Sequence, residues 1–494
     1  MAYMKDSSGR RLDSFKVASS DDAAKVIDNS LCFYGDSITD MWVLVSTGTP
    51  AITYSQGISY GRWLQTYARH RFKVTAEYGV SGENVTQALA RVNTVVADSA
   101  RNVFLYIGIN GIAGANPEGI DTMIASCKGI WDALQAAGKR VIQPTVMAAR
   151  QIVTSDQRRA FDQFNAWIMS EGPKRGIVVI PWHHLWMDPS DGRPHGPSQT
   201  APWVTIDGTH PSTYGAQLMG KFAAEFLAPL FPDSGNQLPI SNVDTVNSIT
   251  NAMMLTTGGN GTFNGASSAL VPYQWKVTTS GDQVVTPSIV PSTDGPYGNW
   301  QQLKLTAGSI NNGSCQLSFD ASVTLAAAWQ PNTVYAVNAK VVSGGKTYNA
   351  TTGGTSASSG GPTGTGTGIT DGTVVWAYFP NVLAVGDQVV GRIEVDSDAD
   401  FVNTSKFELD VVALTTGFAT LGTTRALQNT SSTQDIHRVR IVNGILETPP
   451  LIVPATTGIL QFKVFFAGLN GTSGTTSTVR LRRAAVHRVP GALG

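Results

Sequence analysis

Near residue 235 the spacing of apolar residues changes, and no other feature limits the fold of this chain so tightly. Between about residues 31 and 232, short apolar runs at 31–34, 72–77, 103–107, 141–145 and 177–181 read as strands. Between them apolar residues recur at helical spacing: Val85, Leu89, Val92 and Val96, then Ile120, Met123, Ile124, Cys127, Trp131 and Leu134 ahead of a C-capping Gly138. Thr154-x-x-Gln157 has the form of a capping box before Phe161, Phe164 and Ile168. Alternating strands and helices predict a parallel sheet covered on both faces. Such sheets bind ligands beyond the carboxyl ends of their strands, where Ser37 and Asn110 fall because each directly follows a strand run.

Beyond residue 235 the period drops to two. Cys315-Leu317-Phe319, Val389-Gly391-Ile393-Val395, Phe407-Leu409-Val411 and Leu460-Phe462-Val464-Phe466 alternate with polar neighbours, the pattern of strands with one buried face. The organisation predicted is an N-terminal segment (1–30), an α/β domain (31–233), a polar linker (234–262) and a β-sandwich of jelly-roll type (263–494). A stretch of different texture, 327–380, interrupts the sandwich. It carries Trp329, Tyr335, Tyr348 and Trp376 around a Gly/Ser/Thr-rich tract. Its flanks read as neighbouring sandwich strands, so it is expected to be a small β module inserted in a loop.

Length supports more than one domain: 494 residues exceed what one core usually organises. The formal net charge is zero, which gives no reason to expect nucleic acid or an anionic membrane surface as partner. No apolar run reaches the ~20 residues of a membrane span. Residues 1–30 are polar and lack the apolar core of a signal peptide, so entry to a secretory pathway by that route is not expected. Cys32, Cys127 and Cys315 lie on apolar patterns without metal-ligand spacing and are expected to be buried free thiols.

Two segments carry chemistry. Tyr34-Gly35-Asp36-Ser37-Ile38-Thr39-Asp40 follows the first strand run, and Asp207-Gly208-Thr209-His210-Pro211 opens a later helical pattern. Together they supply the serine, acid and histidine that make a hydroxyl nucleophilic at neutral pH. His210 is the candidate base and Asp207 its orienting carboxylate. Asp36 and Thr39 read as loop-bracing groups. His183, His184 and His195 have no convincing ligand spacing, so no metal and no cofactor are expected. Trp182, Trp186 and Trp203 lead into the acid–base loop, which makes core packing or a sugar-stacking wall their two readings.

Gly-Asp-Ser-Ile-Thr after a strand, with Asp-x-x-His near the domain's end, resembles the SGNH (GDSL) hydrolases, serine esterases on a flavodoxin-like sheet. Val80-Ser81-Gly82-Glu83-Asn84 resembles the family's glycine block and Gly108-Ile109-Asn110 its Gly-x-Asn block. The glycine block departs from the pattern where Tyr78-Gly79 replaces an expected asparagine. The resemblance covers roughly residues 28–232. It implies an oxyanion hole built from the backbone N–H groups of Ser37 and Gly82 and the side-chain amide of Asn110.

The family includes lipases, thioesterases and polysaccharide deacetylases, and no long apolar lid is visible beside the motifs. The inserted segment's Trp…Asn-Thr-Val-Tyr…Gly-Gly-Lys-Thr-Tyr…Asp-Gly-Thr-Val-Val-Trp pattern resembles small modules, some carbohydrate-binding, that recur in bacteriophage tail proteins. The expectation is therefore a tailspike or tail-fibre esterase in the virion. It would act at the host cell surface on an acetylated bacterial polysaccharide, with tail or baseplate proteins as partners and, by analogy with tailspikes, a homotrimeric state. The rivals are a secreted bacterial carbohydrate esterase and a tail adhesin that binds glycan without catalysis. A fragment ending near Pro232 is expected to keep the whole site.

Overall fold

A computed structural model of the chain describes residues 28–489 apart from 41–42, 46–48, 115–116, 197, 200–202, 233–237, 244–246, 296, 309–312, 380–381, 399–403, 405, 429–438 and 468–473. The N-terminal segment through residue 27 and parts of the expected linker therefore lie outside the described residues. Up to residue 180 the strands are β1 (Ser30–Gly35), β2 (Val43–Val45), β3 (Ile52–Gln56), β4 (Lys73–Gly79), β5 (Asn102–Tyr106), β6 (Arg140–Pro144) and β7 (Val178–Ile180). The helices are α1 (Tyr60–Tyr67), α2 (Val85–Ala90), α3 (Val92–Val96), α4 (Ile109–Ala113), α5 (Ile120–Ala136), α6 (Ser155–Glu171) and α7 (Thr213–Leu227).

Five of these strands form one parallel sheet in the order β4-β1-β5-β6-β7. Every residue of β1 and β5 is buried, as expected of strands covered on both faces, whose sequences run apolar without alternation. From β1 the chain crosses to β4 on one side and later returns to β5 on the other. The carboxyl ends of β4, β1 and β5 thus flank a topological switch point, the place where such sheets bind ligands. α6 opens with the capping box read from Thr154 and Gln157. The periodic stretch 85–96 is two short helices that break at Arg91.

β2 and β3 do not join that sheet. They form the edge of a nine-stranded sheet in the second half, where β3 runs parallel to strand Thr420–Gln428. The boundary expected at residue 233 is therefore crossed by a hairpin only a few residues beyond Ser37. Trp63 of α1 and Ala216 of α7, both fully buried, belong to the second half's hydrophobic cluster.

The second half is mostly β-strands. The nine-stranded sheet has Ser314–Ser322, Ile459–Ala467 and Lys406–Leu414 at its centre, and a six-stranded sheet is built on Asn299–Thr306, Thr476–Arg488 and Gln388–Ser397. Leu317, Leu409 and Phe462 from the first sheet share one buried cluster with Leu303, Ile393 and Leu481 from the second. Two expectations need correction. The described part of the 234–262 segment is no free linker: Ile249, Ala252 and Met254 enter that cluster. Ser248 and Ala252 exchange backbone hydrogen bonds with the last strand. The strands flanking the inserted module are not neighbours either, because they lie in opposite sheets.

The module has its own small five-stranded sheet and its own cluster of Val341, Tyr348, Ala350, Val374 and Trp376. Asp371 Oδ2 accepts from the indole N–H groups of Trp329 (2.7 Å) and Trp376 (3.1 Å), pinning two of its aromatics inward. Cys32, Cys127 and Cys315 are buried free thiols. Among the described residues no helix is long and apolar enough to cross a membrane.

Candidate active site

Ser37 stands on the turn after β1, where Asp36 O accepts the N–H groups of Thr39 and Asp40, both at 3.0 Å. Asp36 is fully buried; its Oδ1 accepts the Ile38 N–H at 3.0 Å. Burial pushes its carboxyl up to about 7. Thr39 Oγ1 meets the buried Tyr60 hydroxyl at 3.0 Å. Side chains before and after Ser37 thus face the interior, and Ser37 itself stays partly exposed at the rim.

The acid–base loop comes from a distant segment, just ahead of α7. Gly208 (φ 94°) allows the turn, with Arg150 packed so close that a Cβ there would lie 3.0 Å from its Cβ. Asp207 Oδ1 accepts the backbone N–H groups of Thr209 (2.9 Å) and His210 (2.8 Å), and Oδ2 lies 2.6 Å from His210 Nδ1. The other imidazole nitrogen, Nε2, is 2.9 Å from Ser37 Oγ. Partial burial acts to raise the Asp207 carboxyl, but the hydrogen bonds from His210 and Thr209 outweigh it and bring it down to about 2. The Asp207 hydrogen bond holds His210 above its ordinary value despite partial burial, with the Asp207 and Asp36 charges adding to the effect. With Nδ1–H donated to Asp207, Nε2 is the acceptor for the serine proton.

The three oxyanion candidates arise from adjacent strands: Ser37 after β1, Gly82 after β4 and Asn110 after β5. Gly82 has φ 82° and open space where a Cβ would point, so a side chain there would be strained and would protrude over the rim. The glycine loop is tied to the nucleophile strand by Val80 N–H to Gly35 O at 3.0 Å. Asn110 Nδ2 donates to Glu83 O at 2.9 Å.

Residues 33–218 match the family model described as GDSL-like Lipase/Acylhydrolase. The first half holds a GDSL-like acylhydrolase domain. Among curated proteins, none matches the chain. Solved structures similar to it include a GDSL-like lipase from Bacteroides thetaiotaomicron, 17% identical over 41% of this chain and 89% of that one, TM-score 0.32. A member of the lipolytic G-D-S-L family from Veillonella parvula is 17% identical over 40% and 96%, TM-score 0.31. An acetylxylan esterase from Geobacillus stearothermophilus is 19% identical over 40% and 94%, TM-score 0.31.

The acylhydrolase domain places two of the three tryptophans elsewhere than on a sugar-binding wall. Trp182 is fully buried, its indole N–H donates to Thr145 O, and its ring packs on Tyr60, Phe104 and Tyr106. Trp186 is 2% exposed and donates to Gly215 O at 3.3 Å. Both are core, because large indoles beside a sheet end gain more from burial than from lining water. Trp203 is partly exposed and donates to Gln199 O at 2.8 Å. His183 meets Thr145 Oγ1 at 3.2 Å and His195 meets Asp188 at 2.8 Å. Among the described residues no group of His, Cys, Asp or Glu side chains is arranged to hold a metal ion. Sequence reasoning missed Arg91, which donates to the carbonyls of Gly35 and Tyr78 and to the Glu83 carboxylate; the apolar pattern of 85–96 runs unbroken past it and offered no signal.

Proposed function

We propose that this chain is a serine esterase that removes O-acetyl groups from a bacterial surface polysaccharide, capsule or O-antigen, as part of a phage tailspike or tail fibre. One observation carries the esterase reading: the Ser37–His210–Asp207 relay, closed at 2.9 and 2.6 Å. In the first step Ser37 Oγ attacks the ester carbonyl as His210 Nε2 takes its proton. Asp207, ionised throughout, stabilises the imidazolium. The carbonyl oxygen becomes an oxyanion facing Ser37 N–H, Gly82 N–H and the Asn110 amide. The C–O bond to the sugar then breaks, with His210 returning the proton to the departing sugar hydroxyl. Water repeats the sequence on the acetyl-serine, releasing acetate.

The polymer reading draws on the β-rich second half, taken as a jelly-roll-type platform, and on the resemblance of its inserted module to glycan-binding modules of phage tails. It draws nothing from Trp182 and Trp186, which are core. The virion setting, tail-protein partners and a homotrimeric state follow from that resemblance.

Ser37→Ala removes one oxygen from a rim position and is expected to fold normally while losing about 10⁴-fold or more of its p-nitrophenyl acetate hydrolysis. More than about one per cent residual rate would overturn the relay. Acetyl esters should be cleaved faster than octanoyl esters; the reverse order would move the protein to the lipases, since each buried CH₂ is worth about 0.8 kcal/mol in a true acyl groove. Acetate release from acetylated capsule or O-antigen, with none from Ser37→Ala, tests the polysaccharide.

A further inference from the structure

The three oxyanion donors sit on three separate segments, and a hole that stabilises charge must hold them without reorganisation during reaction. One guanidinium touches two of the pieces and, through Glu83, is linked to the third. Arg91 lies between α2 and α3 with backbone φ −113°, ψ 14°, and this break in the helix turns its side chain toward the sheet end. Its Nη2 donates to Gly35 O (3.1 Å), two residues before Ser37, and to Tyr78 O (3.0 Å), at the end of β4. Its Nε donates to both carboxylate oxygens of Glu83 (2.8 and 2.7 Å), the residue after Gly82. Glu83 in turn offers its backbone carbonyl to the Asn110 amide. The guanidinium lies 4.7 Å from the Tyr34 ring centroid, and the pair is largely screened from solvent, Arg91 being 22% and Glu83 14% exposed.

We propose that Arg91, paired with Glu83, is a positioning residue that sets the register of the Ser37, Gly82 and Asn110 donors, acting on the acylation rate without touching substrate. This rests on the esterase reading above. A planar fork is what the geometry demands: one face of donors serves a carboxylate and two carbonyls at once, which an ammonium cannot reproduce. The charge of Glu83 matters for the same reason, because it orients the guanidinium and its main chain carries the acceptor for Asn110.

The experiment compares Arg91→Met, Arg91→Lys and Arg91→Ala with wild type on p-nitrophenyl acetate, well below each variant's unfolding temperature. Misplacement of catalytic donors by about 1 Å costs on the order of 10²-fold in rate, so Arg91→Met should lose about that much kcat with KM little changed. Arg91→Lys should lose nearly as much, which also keeps the test open should the methionine variant fold poorly. Added methylguanidinium should partly restore kcat to Arg91→Ala. A merely structural role predicts the opposite sign, because guanidinium compounds weaken folds. Wild-type kcat in Arg91→Met, or a loss that tracks only the folded fraction, would overturn the proposal. Labelling of Ser37 by a fluorophosphonate separates the two readings. Wild type that fails to label overturns the esterase reading and this inference with it; equal labelling rates in wild type and Arg91→Met overturn this inference alone.

Discussion

The sandwich and the module inserted in it are both built from short β-strands, yet they attach to the molecule in opposite ways. The module keeps its own core, and among the described residues the hydrogen bonds of 327–379 close within 327–382. The sandwich instead shares its core with the acylhydrolase domain through Trp63 and Ala216, and takes β2 and β3 into its own sheet. It also supplies partners to the polar side chains just after α1. Arg69 pairs with Glu394 at 2.7 Å, that carboxylate being 1% exposed and also bound by Arg482, and His70 lies 3.5 Å from Glu447. Tyr67 and Gln217 both donate to Arg440 O at 2.6 Å. Independence thus follows from where apolar and charged groups find their partners. The similar texture of the two sequences says nothing about it.

The strongest way to break this contrast is truncation after Pro232. It would expose Trp63, strip β3 of its neighbour and leave the charge of Arg69 without the Glu394 carboxylate. The fragment should therefore be unfolded and inactive even on p-nitrophenyl acetate, the reverse of what the residue pattern alone predicts. A fragment with native circular dichroism and full turnover would show that the two halves are separable. Next in size is Glu394→Gln. Removing one partner of a buried ion pair costs about 3–5 kcal/mol, and the low end is expected because Asp294 still pairs with Arg482. Urea titration should show activity and tryptophan fluorescence lost together at a lower midpoint. Two separate transitions would mean that the halves unfold independently.

Smaller is a pH effect confined to the acylhydrolase side. The general base must be neutral, and Asp207 holds His210 above its ordinary value, so kcat/KM should fall tenfold per pH unit below a limb lying above about 6.5. Asp207→Asn removes the charge that raises His210; its much lower rate should show the limb displaced to lower pH. Smallest is excision of residues 327–382 with a short Gly-Ser bridge. Ala326 and Leu383 are already joined by a backbone hydrogen bond of 2.8 Å, so unfolding temperature, ester turnover and pH limb should all match those of the intact chain. A large loss of stability would show that the module is fused to the sandwich after all, and a loss on polysaccharide alone would assign it to glycan binding.

Much of the acylhydrolase domain was legible in the residues. The strand runs at 31–34 and 103–107, the capping box at Thr154 and the loop motifs around Ser37 and His210 depend on neighbours a few positions away, and local spacing records such relations directly. The pairing of strands did not leave that record. Ser55 Oγ accepts from Leu427 N at 3.3 Å across 372 positions of sequence, and a hairpin suited to either sheet carries no mark of which one it will join. The same limit hid the burial of Trp182 and Trp186, since an indole at a strand end fits a core or a rim equally well until the opposite wall is in place. It hid Arg91 too, whose partners Gly35, Tyr78 and Glu83 come together only once β1 and β4 lie side by side. The sequence by itself determined the chemistry available and the elements that carry it. Tertiary structure decided which half owns the hairpin beside the nucleophile and what locks the donors together, because those choices rest on contacts between segments that chain order does not bring near.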